Sequence, residues 1–448
     1  MRVESRLSWL AAAAGSALCA AVAEVGADAR WLAALGAAIT HARHIPSSIP
    51  YAAAPSHDWV NVPALGELVF HGLWVLGGER ALVFAQAVAV AAMFTLLVRD
   101  MRDSEAPDGA SSLVLVALPF GAIASLFVVR AQLFSLPLFA LTLFLLRSEA
   151  RVPSRRIWLL VPLVALWSNL HGGVLIGVAV SAVYLGLERA RRQPGTALGV
   201  LIASCAALFA TPGLFHTADY YRGVFHSEPA TSGFGLWASL SLDNPLDLVF
   251  IALAIPLVWF AVRSRPKLWE LACIALLSFA AVHVSRNSIW LLLFVAAPAA
   301  VGAGATRVRS ARGADGLVQI FAWSVPVVLL VAALTRTPVQ TVAGPHLRAQ
   351  AATLAAGHAI LADDEDGEAL ALDGHKVWIA NPIDAFDERA QDVYLSWLKG
   401  ARAGDVLLRR HDVVLVQTGS PAQRRVAHMR AFREVAHDAA AALYRRVS

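Results

Sequence analysis

One stretch of the sequence, from Arg156 to Arg189, limits what this chain can fold into more than any other. It contains two apolar segments, WLLVPLVALW and VLIGVAVSAVYLGL, separated by SNLHGG, and the one charge between its two terminal arginines is Glu188. About 20 helical residues cross the hydrocarbon core of a membrane. The stretch is too long for one crossing and too short for two relaxed ones, so we expect a tight helical hairpin.

The turn of this hairpin carries polar side chains close to the membrane surface. The Gly172–Gly173 pair favours a turn because glycine tolerates positive φ and close backbone approach. Asn169 and His171 lie in the turn, and polar side chains at membrane depth are costly unless they have partners. They are either functional residues or groups that satisfy carbonyls at a helix end.

The composition of the whole chain is that of a membrane protein. Of its 448 residues, 58% are hydrophobic and 15% are charged, and the mean hydropathy is +0.60. We expect an all-α polytopic membrane domain over residues 1–335, followed by a small soluble α/β domain over residues 336–448. About eleven spans are predicted, near residues 7–24, 81–98, 111–129, 133–147, 157–170, 173–188, 198–212, 246–262, 268–284, 288–304 and 317–335.

The basic residues indicate topology and give no sign of nucleic-acid binding. The net charge is +5, but Arg and Lys occur in short clusters between apolar spans. With a cytoplasmic N-terminus, seventeen of them fall in inner loops and six in outer segments before the tail. This asymmetry follows the positive-inside rule and predicts an external tail. The first span also fits a signal peptide, and either alternative leaves residues 25–80 outside.

Residues 25–80 form the longest external segment between spans and contain the acids that a reaction needs. Ala29–His41 has apolar residues at helical spacing and suits a helix in the membrane interface. Prolines between positions 46 and 63 predict an ordered loop after it. Asp28 and Asp58, with His57 beside the latter, are candidate site residues, and each could instead be merely solvated.

Further polar residues lie at the tips of three short hairpins that face the same side. They are Arg130, Gln132, Asn169, His171, Arg286 and Asn287. A transporter would more naturally place polar residues near the midplane or in broken helices. The alternative for the arginines is that each extends separately to lipid phosphates. We expect one shared cavity just outside the hydrocarbon core, surrounded by Asp28, His57, Asp58, Arg130, Asn169, His171 and Arg286.

The tail, residues 336–448, differs sharply in composition from the rest of the chain. The runs AILAD, KVWIAN, DVVLVQ and AALYRR predict strands, and residues 386–398 and 421–432 predict helices. The tail has no glycine-rich phosphate loop, nucleophile elbow or metal-ligand spacing. Its acidic run, Asp363 to Asp366, is interpreted as a solvated turn.

The ordered set of motifs resembles a broad group of bacterial multi-span membrane proteins related to GT-C type glycosyltransferases. The motifs are Asp28 near Trp31, HDW at 57–59, RAQLFS at 130–135, NLHGG at 169–173 and SRN at 285–287. The resemblance covers nearly the whole chain. It implies a bacterial inner-membrane location, a polyprenyl-phosphate-linked sugar donor, and an acid of the first external loop as general base, which here is Asp28.

The chemistry of glycosyl transfer gives the other candidate residues their roles. A base must deprotonate the acceptor hydroxyl, and cations must stabilise the departing phosphate. Asp28 or Asp58 would be the base, and Arg130 and Arg286 would hold the phosphate because a fork of donors suits phosphate oxygens. The remaining substrate contacts are His57, Gln132, Asn169, His171 and Asn287.

The cofactor and the exact activity stay open at this level. A divalent cation is one option for stabilising the phosphate. The expected partners are membrane lipid and the polyprenyl-phosphate sugar, with no nucleic acid. Two alternative functions are a non-catalytic membrane protein that assists envelope assembly and a transporter of lipid or solute.

Overall fold

The computed structural model describes residues 6–56, 59–304 and 340–447. The predicted span near 317–335 and the predicted site residues His57 and Asp58 lie outside the described residues. Before residue 305 the α-helices are α1 Leu7–Val22, α2 Ala29–Ala42, α3 Ala64–Asp103, α4 Asp108–Gly121, α5 Ile123–Leu126, α6 Ser135–Arg151, α7 Leu160–Ser168, α8 Val174–Tyr184, α9 Pro194–Ala207, α10 Thr217–His226, α11 Glu228–Ser232, α12 Pro245–Arg263, α13 Leu268–His283 and α14 Ser288–Gly304.

The tail adds five helices and most of the strands. Its helices are α15 Pro345–Ala355, α16 Asp364–Leu372, α17 Glu388–Leu398, α18 Asp405–Arg410 and α19 Pro421–Ala427. The strands of the described chain are β1 Glu24–Val25, β2 Val128–Val129, β3 Leu361–Ala362, β4 Val413–Gln417, β5 Phe432–His437 and β6 Ala441–Arg446.

Four of the described helical stretches are long and apolar enough to cross a membrane. They are Ala64–Asp103, Ala131–Arg151, Pro245–Arg263 and Ser285–Gly304. Helices α1, α4, α9 and α13 are apolar but shorter. The described chain before residue 305 is therefore mostly helical, as predicted, with the short strands β1 and β2 as exceptions. The total of about eleven spans stays a prediction.

The hairpin predicted around Asn169 consists of two short helices. Helix α7 has nine residues and α8 has eleven, and α8 continues into a π-helical turn, Leu185–Arg189. At 1.5 Å per residue, α7 and α8 are about 14 and 17 Å long, which is shorter than the roughly 30 Å hydrocarbon core. The tight hairpin is confirmed, but neither Gly172 nor Gly173 has a positive φ.

The described chain divides into two compact units. One, which we call the helical unit, takes its residues from Met1–Glu24, Val83–Thr211 and Gly235–Thr337. The other, which we call the mixed unit, takes its residues from Val25–Leu82, Pro212–Phe234 and Pro338–Ser448. Residues 25–82 and the tail, far apart in sequence, thus belong to the same unit.

The helical unit contains two buried sets of ion pairs. Arg189 Nη1 lies 3.0 Å from Glu149 Oε2, and both side chains are 2% exposed. Arg147 pairs with Asp100, and its Nε lies 3.4 Å from Glu270 Oε1. Removing one partner of such a pair would leave an uncompensated buried charge, which is strongly destabilising.

The mixed unit is built on a four-stranded sheet in the order β3-β4-β6-β5. Strand β3 is parallel to β4, and the other two pairings are antiparallel. Helix α2 packs into the same core, where Trp31 and Leu35 cluster with Leu361 and Leu415. The helix predicted over Ala29–His41 is therefore confirmed, but protein rather than the membrane interface covers its apolar face.

Two predictions for the tail are wrong in detail. The run KVWIAN forms no regular strand, and Val377 instead makes isolated bridges to Ala52 and Ile360. The acidic run is not a solvated turn: Asp363 caps helix α16, and Asp366 is 2% exposed. Asp363 Oδ1 accepts a hydrogen bond from the Asp366 N–H, which is the ordinary role of an acid at a helix N-cap.

Candidate functional site

Arg130 and Arg286 line one cavity of about 180 Å³ in the helical unit. Arg130 follows the short strand β2 with an extended backbone, φ −150°, and leads into the helical turn before α6. Arg286 lies in the single helical turn between α13 and α14. Two tips from distant parts of the sequence therefore meet, as expected. We call this cavity the arginine pocket.

The two guanidinium groups are held in different ways. The Arg286 guanidinium lies over the ring of Trp237, with its carbon 3.5 Å from the ring centroid. Arg130 Nε is buried and has no hydrogen-bond partner among the described residues. A buried donor that lacks a partner is costly, so an anion in the pocket would satisfy a group that the described protein leaves unsatisfied.

The pocket also contains an acid that the sequence analysis missed. Asp247 lies in the first turn of α12, is 8% exposed, and accepts a hydrogen bond from the Ser241 N–H at 3.0 Å. Its signal in the sequence was an acid two residues after Pro245, at the start of an apolar span. Polar side chains around the pocket include Gln132, Asn244, Asp247, Ser285 and Ser288.

Two predicted contacts, Asn169 and Asn287, are engaged within the fold. Asn169 Nδ2 donates to Ala165 O at 2.8 Å and to Ala210 O at 2.7 Å. Asn287 Nδ2 donates to Ala280 O at 3.3 Å. For Asn169 this favours the simpler alternative, that it satisfies carbonyls at helix ends. Neither residue lines the arginine pocket.

His171 lies at the tip of the hairpin and is oriented by its neighbours. Its Nδ1 is 2.7 Å from Ser135 Oγ and accepts the Gly173 N–H at 3.1 Å. Burial, and then the positive charges of Arg286 and Arg130, lower the pKa of His171 to about 3. The ring is therefore neutral at physiological pH.

Asp28 lies in the mixed unit, at the start of α2, beside acids of the tail. Its backbone N–H donates to Glu368 Oε1 at 2.8 Å, and Asn381 Nδ2 donates to the same oxygen at 2.8 Å. Asp28 has φ 79°, a conformation that residues other than glycine rarely adopt. We call Asp28, Asp364, Glu368, Asn381 and Asp384 the Asp28 cluster.

The carboxyl groups of the Asp28 cluster influence one another. Burial raises the pKa of Glu368 well above its usual range, and the Asp28 charge raises it further. Burial is also the main cause that raises the pKa values of Asp364 and Asp384 to about 6, with a smaller contribution from Asp28. Groups with raised pKa values in close proximity are typical of functional sites.

Within residues 6–56, 59–304 and 340–447, no three His, Cys, Asp or Glu side chains are arranged to hold a metal ion.

Of the predicted site residues, the structure brings together Arg130, Gln132 and Arg286 in the helical unit. His171 lies close enough for the charges of both arginines to lower its pKa. Asp28 belongs to the mixed unit. A single cavity that contains all the predicted residues stays a prediction.

Comparison with known proteins gives a fold but no family by sequence. No protein-family model matches the chain, and no curated protein matches it. The crystal structure of ArnT from Cupriavidus metallidurans bound to undecaprenyl phosphate is similar, with a TM-score of 0.56 and 12% identity, covering 99% of this chain and 97% of that one. Its apo state has a TM-score of 0.57 and 13% identity, covering 96% of each chain.

A second solved protein has a similar fold. The cryo-electron-microscopy structure of the arabinofuranosyltransferase AftD from Mycobacteria has a TM-score of 0.51 and 14% identity. The match covers 98% of this chain and 41% of AftD. At these identities the likeness establishes the fold alone.

Proposed function

We propose that this chain, which is a membrane protein with a GT-C-like fold, is a glycosyltransferase that uses a polyprenyl-phosphate-linked sugar donor on the external face of the membrane. The observation that carries this proposal is the arginine pocket. Two arginines from separate hairpin tips line one cavity, and Arg130 keeps a buried donor without a partner among the described residues.

A phosphate group fits the donors of this pocket. Arginine at membrane depth costs about 2.5–3.5 kcal/mol on insertion scales, so it requires a partner or a function. Guanidinium groups present several N–H donors that match phosphate oxygens, and such charged hydrogen bonds are about twice as strong as neutral ones. The Arg286–Trp237 stack holds one guanidinium flat, which lowers the entropy lost when phosphate binds.

In the proposed reaction Asp28 is the general base. Its carboxylate takes the proton of the acceptor hydroxyl, and the oxygen attacks the anomeric carbon of the sugar. The bond between that carbon and the phosphate oxygen breaks, and the oxygen leaves with the electron pair. Arg130 and Arg286 stabilise the negative charge that develops on the departing polyprenyl phosphate. Asp247, inside the pocket, is the alternative base.

Binding of undecaprenyl phosphate to the purified protein tests the pocket directly. One charged hydrogen bond contributes about 1.5–3 kcal/mol, so Arg130→Gln and Arg286→Gln should each weaken binding about 10- to 150-fold. Arg263→Gln is the matched control, because Arg263 also lies over a tryptophan, 5.0 Å from the Trp259 ring, but outside the pocket. Equal losses in all three variants would contradict a specific phosphate site.

Two further ligands separate the possible sources of phosphate. Phosphatidic acid carries a phosphate monoester on a different lipid, and inorganic phosphate carries no lipid at all. The proposal expects undecaprenyl phosphate to bind most tightly. If phosphatidic acid binds equally well and Arg130→Gln weakens both, the pocket is a general site for lipid phosphate and the donor assignment is wrong.

The catalytic role of Asp28 is tested by Asp28→Asn in a transfer assay with a polyprenyl-phosphate sugar. Asparagine keeps the shape and removes the base, so transfer should fall about 100-fold or more while undecaprenyl phosphate binding persists. Asp219→Asn is the control, because Asp219 is exposed and pairs with Arg222 on the surface. Undiminished transfer in Asp28→Asn, together with a loss in Asp247→Asn, would move the base to Asp247.

A further inference from the structure

Three side chains of the helical unit, Trp167, Ser135 and His171, form a continuous hydrogen-bonded chain. Trp167 Nε1 lies 2.6 Å from Ser135 Oγ, and Ser135 Oγ lies 2.7 Å from His171 Nδ1. Trp167 is 1% exposed and Ser135 is fully buried. The proposed transfer reaction assigns no role to Trp167 or Ser135.

The direction of the chain follows from the chemistry of its ends. An indole N–H can only donate, so Ser135 Oγ accepts from Trp167 and its hydroxyl hydrogen goes to His171 Nδ1. The Gly173 N–H donates to the same nitrogen at 3.1 Å. Since two donors point at Nδ1, we assign the proton of the neutral imidazole to Nε2.

The residue after the turn must be glycine for this arrangement to exist. A Cβ at position 173 would lie 2.8 Å from both His171 Nδ1 and Ser135 Oγ. Either the ring or the hydroxyl would have to move. The function of Gly173 is therefore close approach, because its φ of −58° is accessible to other residues.

The other edge of the ring is available to a ligand. His171 Nε2 has no hydrogen-bond partner within the described part of the chain. Arg130 and Arg286 are close enough for their charges to act on the ring. A third cation beside two arginines would be repelled, whereas a neutral N–H adds a directional donor without that cost.

We propose that this chain holds His171 as a neutral Nε2–H donor to the phosphate of the lipid-linked sugar, with Ser135 and Trp167 as positioning residues. The inference rests on the proposed function, because it takes the phosphate to occupy the arginine pocket. His171 does not itself line the arginine pocket, but it lies close enough to Arg130 and Arg286 to be affected by their charges. An ionised phosphate offers only acceptor oxygens, so a fixed donor near the pocket complements the two guanidinium groups.

Nitrogen NMR of the protein labelled with ¹⁵N-histidine reads the tautomer without any ligand. The His171 signal is identified by its absence in His171→Asn. We expect a protonated Nε2 and an unprotonated Nδ1 from pH 5 to 8, and a mixture of tautomers in Ser135→Ala. Ser135→Thr keeps the hydroxyl and should restore the single tautomer. A protonated Nδ1 in the wild-type protein would overturn the inference.

Binding of undecaprenyl phosphate then tests the donor. In His171→Asn the side-chain oxygen can still accept from Ser135 and Gly173, so the turn is preserved while the outer donor is lost. Affinity should fall about tenfold, as expected for one hydrogen bond to a charged group. His283→Asn is the matched control, because His283 is exposed and its Nδ1 lies 3.1 Å from Phe279 O. It should bind like the wild type.

The two assays separate the inference from the proposed function. If the tautomer is as expected but the wild-type protein binds no undecaprenyl phosphate, the proposed function fails and the donor role fails with it, while the orientation of the ring stands. If the wild type binds and Arg130→Gln weakens binding but His171→Asn does not, the proposed function stands and the inference is wrong.

Discussion

Replacing Glu368 by alanine tests whether the tail holds the backbone of Asp28, at the start of α2, in place. Glu368 is fully buried, and its Oε1 accepts from the Asp28 N–H and from Asn381 Nδ2, each at 2.8 Å. Asp28 has φ 79°, and a non-glycine residue in such a conformation carries about 1–3 kcal/mol of strain. The hydrogen bond to Glu368 opposes relaxation of that strain.

The size of the effect depends on the charge of Glu368. Its pKa is raised well above the usual range, first by burial and then by the Asp28 charge. Below that pKa the bond is neutral and contributes about 0.5–1.5 kcal/mol, which corresponds to about twofold to tenfold faster amide exchange at Asp28 in Glu368→Ala. Above it the bond is charged, and about 1.5–3 kcal/mol corresponds to about 10- to 150-fold.

Hydrogen–deuterium exchange with mass spectrometry measures this ratio in peptides that contain Asp28, at several pH values. Glu368→Gln retains an acceptor oxygen and should stay within a few-fold of the wild type. Asp373→Asn, which removes a surface ion pair with Arg348, should leave exchange at Asp28 unchanged. The reasoning is refuted if Glu368→Ala shows normal protection at Asp28 while strand β4 remains protected.

Four further predictions concern other parts of the chain. The pKa of about 3 for His171, against 6.5 unfolded, means that the unfolded state binds the proton first. The contribution of His171 to the free energy of unfolding is therefore fully present above pH 6.5 and is about 2 kcal/mol smaller at pH 5. His171→Asn should remove this pH dependence from the unfolding free energy measured by denaturation. Glu149→Gln leaves Arg189 buried without its charge partner and should cost about 3–5 kcal/mol, measured as a lowered unfolding midpoint. In Gly36→Ala the new methyl group would overlap the Glu67 carbonyl, so α2 and α3 must separate, at about 1–3 kcal/mol by the same measurement. By the positive-inside rule, cytoplasmic reporter signals are expected after Arg151, Arg192 and Arg312, and an external one after Tyr444.

Each of these predictions has a distinct contradiction. An unchanged pH slope in His171→Asn would mean that folding does not lower the pKa of this ring. Glu188→Gln, at a partly exposed pair with Lys267, is the control for Glu149→Gln and should cost at most about 1 kcal/mol. Gly223→Ala is the control for Gly36→Ala, because a Cβ at Gly223 meets no atom within 4 Å. Reporter signals opposite to those expected at any two of these sites would contradict the predicted topology.

Much of the helical part could be predicted from the sequence because hydropathy is a local property. A run of apolar residues must be buried in lipid or protein wherever it lies, so the hairpin around Asn169 was predictable. The break in α3 at Gly77 and Gly78, where Gly78 has φ 58°, lies shortly before the span predicted near residues 81–98. The resemblance to GT-C type glycosyltransferases is confirmed at the level of the fold.

The convergence of Arg130 and Arg286 could also be expected from the sequence, because charge at membrane depth must find a partner or water. The sequence did not indicate that Asp247 also lines the arginine pocket. It also did not indicate the hydrogen-bonded chain through Ser135 that orients His171. A hydrogen bond between residues 36 positions apart depends on the packing of α6 against the hairpin. Neither the residue types of Ser135 and His171 nor their spacing in the sequence predicts this hydrogen bond.

The environment of Asp28 was decided by tertiary structure alone. In the sequence, the acids of the tail resemble any solvated acidic run, because the sequence does not show which acidic side chains become buried or find a partner. Folding places Glu368 next to an amide 340 positions earlier and removes it from water. Burial changes the energy of a carboxyl group by several kcal/mol, and burial is a property of the assembled core rather than of any local stretch.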